Sequence, residues 1–276
     1  MDIAATEKNN TPLLSIITIN YNNAAGLKKT IESVVAQNFD DYEHIIVDGG
    51  SKDGSVDVIK EFLANETYAR HVSWWCSEKD NGIYNAMNKG IRHARGKYCL
   101  FLNSGDWLCD ETALNKVKLS HPNEDIIYFN ALFVTKETSF LVKYPEEITG
   151  LFFFSGSTLS HQNTLIKTSI QQLLPYSDNY RISSDVEFFM NALIKKNCTS
   201  RHVHDVIVCF DCENGISNDP KTKNERDFEW ERLKNQFFPP RIQQDLKLLQ
   251  EFNNFKKRFK GIPYKLYRLF IKIRGF

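Results

Sequence analysis

Three polar clusters stand where extended apolar runs end, and their residue types could hold and polarise a phosphorylated ligand. The first run, LLSIITIN, carries Thr18 and Asn20, with Asn22 just beyond; EHIIVDGG delivers Asp48 followed by Gly49, Gly50 and Ser51; YCLFLNSGDW passes into Asn103-Ser104-Gly105-Asp106. In an open parallel sheet, ligands bind beyond the carboxyl ends of the strands, so these ends should converge on one crevice. A carboxylate at such an edge can accept from a base or sugar hydroxyl, and one in a phosphate site can bind a divalent cation that neutralises the phosphates. Each Asp taken singly could equally cap the helix or turn that follows it. No GxGxxG follows the first run and no GxxxxGK[ST] occurs in the chain, so a nucleotide diphosphate would need a metal where other folds use a glycine-rich nest. Asp106 is the residue to which that reasoning points.

Strands and helices must alternate to present those ends. Leu13 to Asn20 reads as a strand buried on both faces, and from about Leu27 to Gln37 the residues Leu27, Ile31, Val34 and Val35 share a helical face. A strand ending at Asp48, then a glycine-containing turn and helix in SKDGSVDVIKEFL, complete a βαβ unit; HVSWWCSE, GIYNAMNKGIRHA and YCLFLNSGDW extend it. The alternation predicts an α/β fold with a mostly parallel sheet flanked by helices. From about Asp125 the pattern changes to strand-like pairs, DIIYFNALFV and SFLVKYP, as in a hairpin. In SSDVEFFMNALIKK, Ser184 and Glu187 stand at capping-box spacing, Val186, Phe189, Met190 and Leu193 form an apolar stripe, and Asp185 falls in the first turn. RHVHDVIVCF reads as another strand, in which His202 and His204 share a solvated face, and Thr222 with Glu225 marks a second capping box opening a helix through Trp230.

Composition narrows the classes. With 42% hydrophobic and 25% charged residues in 276, the chain is neither disordered nor fibrous. Lys and Arg total 35 against 34 Asp and Glu, a charge of +1, so no global attraction to nucleic acid exists and none is expected as a partner. The start MDIAATEKNN lacks the basic and apolar regions of a secretory signal, and no run approaches the roughly 20 apolar residues of a membrane span. A cytoplasmic location is expected. The six cysteines read as free thiols, because Cys209 and Cys212 form a single CxxC with no second pair to complete a zinc site. Trp74 and Trp75 read as packing residues.

The blocks LLSIITINYNN, LKKTIESVVAQNFDDYEHIIVDGGSKDGSVDVI and SEKDNGIYNAMNKGIRHARGKYCLFLNSGDWL together resemble the nucleotide-sugar half of family 2 inverting glycosyltransferases, above all the bacterial branch that builds surface polysaccharides. SHQNTLIK, SSDVEFF and ENGISND agree more loosely. The resemblance implies a GT-A fold, a Rossmann-type sheet, and transfer of a sugar from a nucleotide-diphosphate sugar to a hydroxyl acceptor with inversion, in polysaccharide or lipid-linked glycan synthesis. It implies donor binding by Thr18, Asn20, Asp48, Asp80, Asn88, Asn103 and Ser104. It further implies Mg²⁺ or Mn²⁺ on Asp106 and a proton-accepting role for Asp185; the alternative for Asp185 is a capping carboxylate. Where the family writes Asp-x-Asp-Asp, this chain has Asn103-Ser104-Gly105-Asp106, and one Asp is chemically sufficient for Mg²⁺. His161 and Gln162 are candidates for acceptor or phosphate contact, and Tyr84, one turn before Asn88, could face the donor or the core. The expected organisation is a catalytic domain over 1–218, with a nucleotide-sugar half at about 12–114 and an acceptor half at about 115–218, followed by a helical basic extension over 219–276.

That extension carries a charge of its own. Residues 252–276 hold eight Lys or Arg and no Asp or Glu, which leaves the rest of the chain at −7. Interleaved Phe, Tyr, Leu and Ile could lay this segment on an anionic inner leaflet, where a polyisoprenyl-linked or other saccharide acceptor would reside, or pack it back on the catalytic domain or a second copy. Two rival readings are a non-catalytic relative that binds membrane or partner, and a sugar-phosphate nucleotidyltransferase. The latter would need a glycine-rich basic loop where NYNNAAG stands.

Overall fold

The computed structural model describes residues 11–213 and 220–258. Its first half runs β1 (Leu14–Asn20), α1 (Ala24–Val35), β2 (Tyr42–Asp48), α2 (Ser55–Leu63), α3 (Glu66–Ala69), β3 (Val72–Ser77), α4 (Ile83–His93) and β4 (Tyr98–Phe101). Then come β5 (Trp107–Leu108), α5 (Ala113–Leu119), β6 (Ile126–Phe129), β7 (Ala131–Val134), β8 (Ser139–Val142), α6 (Gly150–Phe154), β9 (Thr164–Lys167) and α7 (Thr168–Leu173). The chain continues with α8 (Ser184–Met190), β10 (Ser200–Val203), β11 (Val208–Asp211), α9 (Lys223–Phe237) and α10 (Pro240–Arg258).

Seven strands form the central sheet in the order β10-β6-β9-β4-β1-β2-β3. All neighbours are parallel except β9, which runs antiparallel to β4 and β6. This is the expected mostly parallel α/β sheet. Every residue of β1, β2, β4 and β6 is buried, because helices cover both faces. Side-chain alternation along β1 sends Ile17 and Ile19 to one core, with Met87, Phe101 and Phe189, and Leu14 and Ile16 to the other, with Ile31, Leu100 and Val117. Full burial of each such side chain stabilises by about 1.5–3 kcal/mol, which gives the polar strand ends a rigid base.

Several local expectations are corrected. DIIYFNALFV and RHVHDVIVCF each divide between two sheets: β6 and β10 stay in the central sheet, while β7 and β11 join a second one ordered β5-β11-β7-β8. Asn130 marks the division. Its backbone N–H donates to Asp205 O at 3.0 Å and its side-chain Nδ2 donates to His204 O at 2.6 Å, tying the two crossing points together. The hairpin with SFLVKYP survives as the antiparallel pair β7 and β8. On α1 the buried stripe is Leu27, Thr30, Ile31 and Val34, whereas Val35 is exposed, because it lies about 100° around the helix from Val34. Neither capping box supplies a side-chain cap: Ser184 Oγ instead accepts from Ser177 N at 2.7 Å, and Glu225 pairs with Arg181 at 2.7 Å. Beyond Met190 the helix α8 widens into a π turn over Asn191–Lys195.

The boundary expected at 218/219 falls beside a helix that belongs to the packed body. Leu233 and Phe237 of α9 are buried in the same core as Phe153 and Phe189. Glu229 of α9 accepts from the backbone N–H groups of Arg181, Ile182 and Ser183 at 2.6, 3.1 and 2.9 Å. It thereby fixes the approach to Asp185. Among the described residues no helix is long and apolar enough to cross a membrane; most of the basic segment 252–276 and of ENGISND lies outside the described residues.

Candidate active site

At the carboxyl edge of β1 and β2, Asn20 and Asp48 are register partners, and Asn20 Nδ2 donates to Asp48 Oδ1 at 2.7 Å. Ser51 Oγ donates to the same oxygen at 2.5 Å; Ser51 N and Ser77 Oγ donate to Oδ2 at 2.9 and 2.6 Å. Burial raises the pKa of the Asp48 carboxyl, but the donors Ser51, Ser77 and Asn20 outweigh it and hold the group below the usual carboxylate range. All four lone-pair sites are used, so a ligand N–H reaches Asp48 only by displacing one of these donors. Asn20 Oδ1, by contrast, is buried with no hydrogen-bond partner. Asp80 forms an ion pair with Lys89 at 2.6 Å. Its Oδ2 stands 3.1 Å from where a side chain on Gly49 would begin, and the ring of Tyr21, which is 69% exposed, stands 3.2 Å from the same point. Glycine at 49 lets Asp80 and Tyr21 approach the strand end this closely.

The turn after β4 is held by α1. Gly105 adopts φ +107, in the left-handed region; its N–H donates to Thr30 Oγ1 at 3.0 Å, and Thr30 Oγ1 donates to Asp106 O at 2.7 Å. Asn23 Nδ2 donates to Ser104 O at 3.1 Å. Asp106 is buried, and its Oδ1 accepts from Asp211 N at 2.8 Å. Burial, with the charge of Asp211 adding to it, pushes its carboxyl up to about 7, against hydrogen bonds from Asp211 and Gln162 and the charge of Lys29. Asp211 Oδ2 lies 3.3 Å from the point where a Gly105 side chain would begin. Asp211 thus stands against the turn, near enough for its charge to act on the Asp106 carboxyl, and the buried Asn103 Oδ1 is an unpartnered acceptor in the same turn. This all-oxygen set suits a hard divalent cation. Asp211 carried no sequence signal, because only the pairing of β11 with β5 and β7 brings it to Asp106.

A chain of hydrogen bonds links that turn to Asp185. Asn103 Nδ2 stands 3.2 Å from His161 Nε2, and His161 Nδ1 stands 3.2 Å from Asp185 Oδ2. With Asn103 donating to Nε2, the ring proton sits on Nδ1 and points at Asp185. Asp185 Oδ1 accepts from Tyr84 Oη and from Val186 N, both at 2.9 Å. Tyr84 Oη also lies 2.6 Å from the Ile182 carbonyl. Burial, then the charge of Asp185, push the Tyr84 phenol well above its usual range, so it stays a donor. Asp185 retains 17% side-chain exposure. Next to Tyr84 a cavity of about 320 Å³ is lined by Asn81, Asn85, Ser177 and Arg181.

Two expected donor residues lie elsewhere. Asn88 spends its amide on the backbone of Tyr176, donating to its carbonyl at 2.7 Å and accepting from its N–H at 2.9 Å. Thr18 is fully buried, its hydroxyl 2.9 Å from His44 Nε2, while Tyr68 Oη lies 2.6 Å from His44 Nδ1. Burial, with the neighbouring His71, pushes His44 down to about 3. A histidine that is neutral when folded and protonated when unfolded makes stability full above about pH 6.5 and costs about 1.4 kcal/mol per pH unit below it. Because Asp106 acts in the opposite sense over the same range, the test is a difference: in urea melts, His44→Gln should gain on the parent by about that slope as the pH falls from 6.5 to 5.

A family model, "Glycosyl transferase family 2", matches residues 15–183, more than half of the chain. The chain is 28% identical over 213 residues to a PGL/p-HBAD biosynthesis glycosyltransferase of Mycobacterium bovis (strain BCG / Pasteur 1173P2), covering 75% of this chain and 80% of that one. Its fold is similar to that of S. aureus TarS 1-349 in complex with UDP-GlcNAc, with a TM-score of 0.59 and 17% identity over 75% of this chain; it spans 60% of the TarS chain. It is also similar to the mannosyltransferase PcManGT from Pyrobaculum calidifontis in complex with GDP-Man and Mn²⁺, with a TM-score of 0.55 and 15% identity, over 92% of this chain and 66% of that one.

Proposed function

Because the chain belongs to glycosyl transferase family 2 and has a GT-A fold, we propose that it moves a sugar from a nucleotide diphosphate to an acceptor hydroxyl with inversion, in the assembly of a cell-surface or lipid-linked glycan. The observation that carries this reading is Asp185, held by Tyr84, Val186 N and His161 and joined through Asn103 to the Asp106 turn. The acceptor hydroxyl gives its proton to Asp185 as its oxygen attacks the anomeric carbon; the new glycosidic bond forms as the bond to the diphosphate oxygen breaks on the opposite face. His161 and Tyr84 keep the carboxylate oriented. Asp106 and Asp211 would hold the divalent ion, Mg²⁺ or Mn²⁺, whose chemistry is to neutralise the diphosphate.

The exposed ring of Tyr21, at the strand end beside Asp80, gives the nucleoside an aromatic face, and the orphan Asn20 Oδ1 gives it an acceptor. The cavity beside Tyr84, with its amide, hydroxyl and guanidinium groups, suits a hydroxyl-rich saccharide. On this reading the donor half spans about 12–114 and the acceptor half about 115–218, with α9 bracing the latter through Glu229. The segment 252–276 would bring the enzyme to the cytoplasmic face of a membrane that bears a polyisoprenyl-linked acceptor. Calorimetric titration with UDP, GDP, dTDP and CDP, with and without Mn²⁺, tests the donor site. One nucleotide should bind in a Mn²⁺-dependent manner; no heat with any of them, from folded protein, would overturn the reading.

A further inference from the structure

His202 and His204 do not share a solvated face. The His202 side chain is 1% exposed and its ring stacks on Tyr128 with centroids 5.2 Å apart. Asn130 fixes its tautomer. The Asn130 amide has one orientation, because Nδ2 donates to His204 O at 2.6 Å and Oδ1 accepts from Tyr144 N at 3.3 Å. The His202 Nε2 that meets the same Oδ1 at 2.9 Å must therefore donate, which in the neutral ring leaves Nδ1 as a lone pair. That buried Nδ1 has no hydrogen-bond partner, and it stands 3.5 Å from Glu146 Oε1. His204 Nε2 lies 3.1 Å from the same oxygen, and ligand atoms of all three residues fall within 4.8 Å of one another. Among the described residues, this is the group of three or more potential metal ligands so assembled.

A lone pair aimed at a carboxylate oxygen is repulsive until a proton or a metal ion stands between them, and the third ligand atom at the same oxygen, His204 Nε2, favours the metal ion. Two imidazoles and one carboxylate match the ligand set of a tetrahedral borderline ion with one open position, and a histidine whose second nitrogen donates to an amide oxygen is oriented as metal-bound histidines are. The backbone that carries Glu146 is anchored beside His202, since Tyr128 Oη lies 2.9 Å from the main-chain carbonyls of both Pro145 and Glu146. We propose that Glu146, His202 and His204 bind a divalent transition-metal ion of the Zn²⁺ type, which clamps the segment after β8 onto the end of β10. The site is distinct from the Asp106 turn: β10 is the outer strand of the sheet, three places from β4. Its nitrogen ligands suit a softer ion than the all-oxygen set there.

The test uses untagged, chelator-stripped full-length protein titrated with Zn²⁺, and with Co²⁺ as a spectroscopic probe, in excess Mg²⁺. One equivalent of Zn²⁺ should bind, and Co²⁺ should give the intense visible bands of tetrahedral coordination. His204 and Glu146 are 76% and 70% exposed at their side chains, so His204→Ala and Glu146→Gln leave the core intact. Each should weaken Zn²⁺ binding at least roughly tenfold and abolish the tetrahedral Co²⁺ spectrum. Absence of Zn²⁺ binding, or binding and Co²⁺ bands unchanged in both variants with the ion held by cysteines instead, overturns the proposal.

Discussion

Replacing Asp185 by Asn should lower the rate of sugar transfer by about a thousandfold while moving donor affinity less than about threefold. The amide keeps the shape of the carboxylate and can still accept from Tyr84 and Val186 N at Oδ1, so the approach held by Glu229 should stay in place. What it loses is the ability to take a proton, together with the acceptor for the His161 Nδ1 proton, since the amide nitrogen at that position is itself a donor. Single-turnover transfer and calorimetric donor titration separate the two effects. An equal fall in donor affinity would make Asp185 a donor ligand and remove it from the role of base. Tyr84→Phe is the graded companion: it deletes one hydrogen bond to Asp185 and should cost far less than the Asn variant, on the order of tenfold.

Asp106→Asn should abolish Mn²⁺-dependent nucleotide binding, reduce transfer at least about a hundredfold, and make the metal-free protein more stable at pH 8. The sign follows from burial. Burial pushes the folded carboxyl up to about 7, so the group contributes fully below about pH 4 and that contribution is lost as the pH rises through 7. The distance of that value from an ordinary aspartate corresponds to roughly 4 kcal/mol as an upper bound. Asn carries no such burden and can still accept from Asp211 N. In chelator, thermal melts of the variant should therefore run several degrees above the parent at pH 8, with a gain that shrinks toward pH 4. A variant that is instead less stable at pH 8 would mark Asp106 and Asp211 as a structural pair with no cation-binding function. A carboxylate that weakens the fold and is kept at the crevice fits a binding role better than a packing one.

Glu229 shows why the acceptor half is more than an appendage to the sheet. Its carboxylate collects three successive N–H groups at Arg181, Ile182 and Ser183, immediately before the helix that bears Asp185. α8 has no side-chain cap of its own. The orientation of Asp185 is thus set by a residue 44 positions later in the chain, together with Tyr84 from α4 and His161 from the segment before β9.

Local sequence determined the strand ends. The apolar runs that become β1, β2 and β4 bury every residue, and the polar residues that end them had to emerge at one edge of a parallel sheet, which brought Asn20, Asp48 and the Asn103–Asp106 turn together. The motif blocks likewise pointed to Asp185 and His161, because both follow from residue types at recognisable places along the chain. Tertiary structure decided what each group touches. Thr18 and Asn88 carry suitable side chains at suitable places, yet Thr18 meets His44 and Asn88 meets the Tyr176 backbone. Alternation placed His202 and His204 on one side, where their rings lie 4.6 Å apart, but not the burial of His202; Asp211 gave no usable signal, because RHVHDVIVCF reads as one strand and divides only when Asn130 ties its crossing point to that of β6 and β7. Periodicity records which face of a strand is apolar; it does not record which sheet the strand joins, and that is settled by hydrogen bonds between residues some 75 positions apart.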